Sequence, residues 1–429
     1  MAPAADSPIS PPSPTSGAAL TKAGQKAILT QTISNDSPTI TDLDASKLTS
    51  TRITSPKAVP APDSPEVWSQ SVATDHMLTC RWTESAGWEA PEIKPYGALS
   101  IMPTASVLHY ATECFEGLKA YRGDDGRVRL FRPDRNATRF LRSATRISLP
   151  GFPPSEFLEL LKQFVGYDAP RWLPHNGDFL YLRPTIIGTS PALGIQKPKE
   201  ALMYIIGVCF PPLGDPKAVP ATGGTGMGTE AKGAAGMKLL ASKHDMIRAW
   251  PGGFGNAKVG ANYGPSLVAQ AEARDRGYNQ ILWLFGEECF VTEAGGSNFF
   301  VLWKTKEGGL EMVTAPLEDG VILEGVTRAS VIDIVREKLP DVNVVERKFT
   351  MEEIMQADKE ERLIEGFGSG TAFFIAPCSD IHFRGVDVVL PLGKGVEAKY
   401  AMAIKGWLQD IMYGRTKHEW GVVVEEQHE

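Results

Sequence analysis

Cysteine is scarce in this chain: five thiols, at Cys80, Cys114, Cys209, Cys289 and Cys378, stand far apart along 429 residues. With no CxxC pair and no short-spaced even set, a disulfide framework is not expected, and a reducing compartment fits best. The histidines, among them His76, His109, His244 and His382, are as scattered and never take HExxH or His/Cys ligand spacing, so no structural or catalytic metal is expected. No apolar run approaches the ~20 residues of a membrane helix. No Lys/Arg cluster interrupts a formal net charge of -7, which argues against nucleic acid or anionic lipid as a partner. A fixed-period repeat is also missing, which excludes a solenoid or propeller.

What remains is an ordinary globular composition over a length sufficient for two to three domains. Residues 1–64 are rich in Pro, Ser, Thr and Ala and read as a disordered extension. Asp6, Asp36, Asp42 and Asp44 precede the first arginine, Arg52, unlike a mitochondrial presequence, so the cytoplasm is expected, with the mitochondrion as the alternative. From Trp68 the texture changes. Met77 to Trp82, Val128 to Phe131, Phe179 to Ile187 and Leu202 to Cys209 read as strands, and Pro153 to Val165 has helical spacing. Period-two geometry puts Phe179, Tyr181 and Arg183 on one face of their strand and Leu180 and Leu182 on the other. The Pro/Gly-rich stretch 211–236 reads as a linker or loop; its Gly224 to Thr229 run lacks the Lys-Ser/Thr ending of a phosphate loop. Beyond it, Pro265 to Arg276 reads as a helix closed by Gly277, Ile281 to Phe285 and Phe299 to Trp303 as strands, and a helix starts near Gly325. Thr350 to Glu353 form a capping box. The mixture predicts an α+β fold in two lobes, 65–210 and 237–429.

Lys258 stands in Gly252-Gly253-Phe254-Gly255-Asn256-Ala257-Lys258-Val259-Gly260-Ala261-Asn262-Tyr263. Small residues let backbone and a flat electrophile approach one amine closely, as a Schiff-base lysine requires; the same pattern also suits a glycine-rich loop with a solvated lysine. A pyridoxal phosphate cofactor would need further groups: a phenol, an acid for the pyridine nitrogen and donors for the phosphate. Glu293, between strand-like runs and beside Gly295 and Gly296, is either that acid or a solvated loop carboxylate. The helix start at Val326 and Thr327 offers free amides, Arg139 a positive charge, and Gly368 to Ala372 either a nest of amides or a plain turn.

Ordered motifs along the chain carry a resemblance: Thr74-Asp75-His76-Met77, Phe115-Glu116-Gly117-Leu118-Lys119-Ala120, Tyr181-Leu182-Arg183-Pro184, Gly260-Ala261-Asn262-Tyr263-Gly264-Pro265 and Phe367-Gly368-Ser369-Gly370-Thr371-Ala372. From about Thr74 to Tyr413 the chain resembles the branched-chain amino acid aminotransferases, two-domain pyridoxal phosphate enzymes of fold type IV. The resemblance implies pyridoxal 5'-phosphate on Lys258, with Tyr263 at the ring oxygen and Glu293 at the pyridine nitrogen. It implies phosphate contacts from Arg139, Val326, Thr327 and Thr371. The substrate pocket would use Phe115, Tyr181, Arg183, Gly296 and the Thr371-Ala372 turn. A homodimer is implied, in which Tyr110, Leu193 and Ile195 come from the partner subunit. The implied reaction is ping-pong transfer of the amino group of L-leucine, L-isoleucine or L-valine to 2-oxoglutarate.

Several positions depart from the family pattern. Ala73 and Gly296 stand where an aromatic and a threonine are frequent, the loop at 211–236 is longer, and Phe373 and Ala376 replace a redox CxxC. These departures bear on substrate preference more than on cofactor chemistry. A D-amino acid aminotransferase, an aminodeoxychorismate lyase and a cofactor-binding protein of weak activity are the alternatives.

Overall fold

Among the described residues, apolar runs with period-two alternation or continuous burial assemble into two sheets, of ten and nine strands. The computed structural model describes residues 41–62, 64–211, 236–372 and 374–427. The first sheet is built mainly from Ala73–Thr83 (β1), Glu113–Phe115 (β2), Leu118–Arg122 (β3), Val128–Phe131 (β4), Phe179–Gly188 (β5) and Glu200–Val208 (β6). Antiparallel pairing sets the order β1, β6, β5, β3, β4, and β2 pairs with the far end of β5. Two helices pack beside it, Pro133–Arg146 (α1) and Pro154–Trp172 (α2). Leu180 and Leu182 of β5 are 1% and 0% exposed in the core between sheet and helices, as alternation predicts. α2 runs past the expected end at Val165; Pro170 falls in its last turn, where the ring terminates the helix soon afterwards.

In the second sheet, Met237–Ala241 (β7), Gln280–Phe285 (β8), Phe290–Ala294 (β9), Ser297–Lys304 (β10), Leu363–Gly370 (β11) and Phe374–Phe383 (β12) pair in the ring β9-β8-β7-β12-β11-β10. The hairpin bonds between β10 and β9 close that ring. A closed ring leaves no free edge at its centre and fixes the register of the hairpin that carries Glu293. Ser266–Asp275 (α3), Val326–Lys338 (α4), Met351–Lys359 (α5) and Lys399–Met412 (α6) accompany it, and α5 begins with both bonds of the expected capping box, Thr350 with Glu353. Among the described residues, no helix is long and apolar enough to cross a membrane.

Two boundaries differ from expectation. Residues 41–62 belong to the ordered chain, not to the extension drawn to residue 64: Leu43 and Ala45 are buried, and Thr49–Ser50 pairs in parallel with Glu92–Pro95. Side chains of α2 and β1 hold this strap. Glu156 accepts from Ala45 N-H at 2.8 Å, His76 Nε2 from Ile53 N-H at 3.0 Å, and Asp75 from Lys57 N-H at 3.0 Å. The strand Gly421–Val424 returns to the first sheet beside β4 instead of remaining with the second. Residues 1–40 and 212–235, which include most of the expected extension and loop, lie outside the described residues.

Candidate active site

The backbone of Lys258 is held from both sides. Phe115 N-H of β2 donates to its carbonyl at 3.0 Å, and its own N-H donates to Ser143 Oγ of α1 at 2.8 Å. Two residues on, Gly260 leaves room for the Glu113 side chain: a Cβ there would lie 1.6 Å from Glu113 Oε1 and would push that carboxylate aside. The short turn Gly260–Asn262 then brings Tyr263 back over the lysine. The amine ends 3.3 Å from the Tyr263 hydroxyl and 4.8 Å from the centre of the Phe115 ring.

That amine faces a cavity of about 320 Å³ lined by both sheets, with Phe115, Arg139, Tyr181 and Arg183 from one side and Glu293, Val326, Thr327 and Thr371 from the other. Glu293, on β9, is 1% exposed. Its Oε1 accepts from Asn298 Nδ2 at 3.2 Å and Leu323 N-H at 3.3 Å, while Oε2 lies 2.5 Å from Arg248 Nη1. The Arg248 contact is close but misaligned, so Oε2 has no well-formed hydrogen bond. Burial raises the Glu293 carboxyl above the usual range, opposed by Arg248, the Leu323 amide and Lys258. The solvated-loop alternative for this residue is excluded by its burial.

At the Gly325 end of the cavity, α4 starts with no side-chain cap, leaving the first-turn amides at Val326 and Thr327 available. A Cβ at Gly325 would meet Asn298 Oδ1 at 2.1 Å and displace that side chain. Arg139 reaches the same end from α1. Its Nε and Nη2 bond to Glu116 at 2.7 and 2.8 Å and its Nη1 to Glu324 O at 2.9 Å, which leaves two N-H groups for an anion. Glu116 is 0% exposed. Burial alone would push its carboxyl up, but Arg139, with Lys258 and Asn136, holds it below the usual range.

Tyr181 and Arg183 face the cavity together, and the Arg183 guanidinium sits 4.7 Å from the Phe115 ring centre. Gly296 and the Thr371-Ala372 turn complete the lining, and Thr371 Oγ1 donates to Gly117 O at 3.1 Å. Ala73 is buried and is not part of it. Tyr110, Leu193 and Ile195 stand apart from this chain's cavity. The Tyr110 hydroxyl donates to Leu193 O, and the two aliphatic side chains are 56% and 89% exposed.

Sequence reasoning missed Arg248, Asn298 and Ser143 and gave no role to Glu116, although Phe115-Glu116-Gly117 was itself a recognised motif. No local pattern marks Arg248 or Ser143. Among the described residues, five buried side-chain atoms lack hydrogen-bond partners, and three of them, Arg183 Nε, Glu293 Oε2 and Ser369 Oγ, belong to residues lining the cavity. Unsatisfied buried polar groups concentrated in one cavity are what a polar ligand would satisfy. An amine, a phenol, a buried acid and a helix start with an arginine match the aldehyde, ring oxygen, ring nitrogen and phosphate of pyridoxal phosphate.

Comparisons with known proteins agree with this geometry. Residues 113–381 match the family described as amino-transferase class IV. The mitochondrial branched-chain-amino-acid aminotransferase of Schizosaccharomyces pombe is 44% identical over 354 residues, 81% of this chain and 78% of that one. The cytosolic one of Saccharomyces cerevisiae is 43% identical over 392 residues, 90% and 99% of the two chains. A solved T.th. branched-chain amino acid aminotransferase, complexed with N-(5'-phosphopyridoxyl)-L-glutamate, superposes with a TM-score of 0.59 at 26% identity, covering 80% of this chain and 98% of that one. The two-sheet frame, the cavity between its halves and these likenesses place the chain in the branched-chain-amino-acid aminotransferase family of class IV aminotransferases.

Proposed function

We propose that this chain moves the α-amino group of L-leucine, L-isoleucine or L-valine to 2-oxoglutarate in two half-reactions. The cofactor is pyridoxal 5'-phosphate, which when bound acts as an electron sink and carries the amino group between the half-reactions. One observation carries the reading: the amine of Lys258, the Tyr263 phenol, the Glu293 carboxyl and the uncapped start of α4 line one cavity, together with three of the five buried side-chain atoms that lack hydrogen-bond partners among the described residues.

Lys258 binds the cofactor and, when released from it, serves as general base for the α-carbon proton. Tyr263, 3.3 Å from that amine, orients it and takes the ring oxygen. Glu293, as a carboxylate, would keep the pyridine nitrogen protonated; Val326, Thr327 and Arg139 would hold the phosphate, with the Thr371 turn beside them. Phe115 and Tyr181 give the substrate side chain apolar faces, and Arg183 supplies a cation for a second carboxylate. The Thr371-Ala372 turn receives the α-carboxylate.

The protein works as a homodimer in this reading. Leu108, Leu193 and Ile195 are more than half exposed, and Tyr110 lies bonded beside them, as a surface covered by a second copy would be. Relatives carry both cytosolic and mitochondrial names; the cytosol is the compartment proposed here, and fractionation with mitochondria overturns it.

A panel of L-leucine, L-isoleucine, L-valine, D-leucine and an aromatic amino acid, followed by absorbance of the bound cofactor and by glutamate formation, tests the reading. The three branched L-amino acids are expected to react fastest and Lys258→Ala to abolish turnover. Preference for D-leucine, or normal turnover by Lys258→Ala, overturns it.

A further inference from the structure

A second lysine lies behind the cavity. Lys119, on β3, is 9% exposed. Its amine donates to Ala372 O at 3.2 Å and sits 4.3 Å from the centre of the Phe179 ring. Two residues earlier, Gly117 O accepts from Thr371 Oγ1 at 3.1 Å. The segment Gly117 to Lys119, at the start of β3, thus grips the Thr371-Ala372 turn at two points, although the partners are 254 and 253 positions apart in sequence. Packing alone does not call for this residue. An apolar chain of similar length would fill the space without the cost of removing an ammonium from water. A turn that receives a carboxylate through its amides has a further requirement, because any carbonyl of the same turn that faces the anion repels it.

We propose that Lys119 is a positioning residue for substrate-carboxylate recognition, holding the Ala372 carbonyl away from the cavity and adding positive charge behind the turn. This rests on the reading of Thr371-Ala372 as the carboxylate-binding turn. Lys119 is not among the residues lining the cavity and acts through the turn. Its charge is titratable: burial, aided by the Lys405 charge on α6, lowers the amine to about 8. The other ionisable groups on the elements around it are Tyr121 and Arg122 on its own strand, Arg129 on β4, Tyr181, its register partner, and Arg183 on β5, and Lys399, Tyr400 and Asp410 on α6. The ammonium is therefore present at neutral pH and largely lost by about pH 9.

The test uses full-length holoenzyme with Lys119→Met and Lys119→Arg. The Kd of 4-methylpentanoate, a branched carboxylate without an amine, is read by fluorescence titration from about pH 7 to 9, with KM and kcat for L-leucine measured in parallel. Lys119→Met is expected to raise Kd and KM by roughly tenfold or more and kcat by far less than that factor in either direction. The alkaline weakening of carboxylate binding disappears in Lys119→Met, whereas Lys119→Arg binds more tightly than Lys119→Met and keeps its affinity at high pH. Wild-type affinity in Lys119→Met, an unchanged alkaline weakening in that variant, or equal losses in Met and Arg variants overturns the proposal. Failure of the wild-type enzyme to transaminate leucine instead overturns the functional reading, because the inference about Lys119 is measured as a ratio of carboxylate affinities.

Discussion

Arg248 Nη1 lies 2.5 Å from Glu293 Oε2, and both side chains are almost completely buried. The acid expected to face the pyridine nitrogen is therefore already paired with a cation that lies outside the cavity lining. The pair opposes the effect of burial: desolvation raises the Glu293 carboxyl, and Arg248 is the largest influence bringing it down.

Removing that cation should make the acid titrate later. In Arg248→Met, the pH below which cofactor is lost on gel filtration is expected to move upward by about one unit or more, since the carboxyl must ionise to hold the ring nitrogen proton. Arg248→Lys is expected to lie between the two. Retention profiles that coincide for wild type and Arg248→Met contradict the assignment.

Glu116→Gln leaves Arg139 buried without its charge partner, a change that costs on the order of 3–5 kcal/mol. The sign with pH follows from the depressed carboxyl of Glu116. Its stabilisation is present above the unfolded-state value and lost as pH falls through the folded-state value. Denaturant titrations should show the variant less stable at neutral pH and the gap closing in acid.

Gly325→Ala places a methyl 2.1 Å from Asn298 Oδ1. Asn298 bonds both Glu293 and Leu323 O, so it yields only by disturbing the acid. Because φ at Gly325 is -69°, the backbone itself tolerates alanine and the effect is steric. Cofactor affinity, measured by titrating apoprotein fluorescence, is expected to fall by roughly tenfold or more, with helix content by circular dichroism unchanged.

Four thiols should resist alkylation in the native state near pH 8. Burial raises Cys80 to about 12 and Cys209 to about 11, and pushes Cys114 and Cys378 up as well. Reactivity belongs to the thiolate. Site-resolved mass spectrometry should find these four protected until the protein is unfolded.

Local patterns in the sequence found the parts that local physics decides. The β5 alternation put Tyr181 and Arg183 on one face, the Thr350 capping box marked the start of α5, and the small residues around Lys258 pointed to close backbone approach. What escaped depends on residues far apart. Arg248 and Glu293 meet only after the ring of strands closes, and Glu116 acquires a role only when α1 brings Arg139 over it. The strap at 41–62 was illegible for a related reason: its order comes from Glu156, His76 and Asp75 of other elements, not from any periodicity of its own.

The strand Gly421–Val424 lies against β4, and Glu426 beyond it bonds Arg122 Nη1 and Nη2 at 2.6 and 2.7 Å. During synthesis, the first sheet has its other strands once residue 208 has left the ribosome, yet its outer edge stays open while more than two hundred further residues are made. The two halves consequently cannot mature one after the other. Final closure of the earlier half waits on residues 421–426.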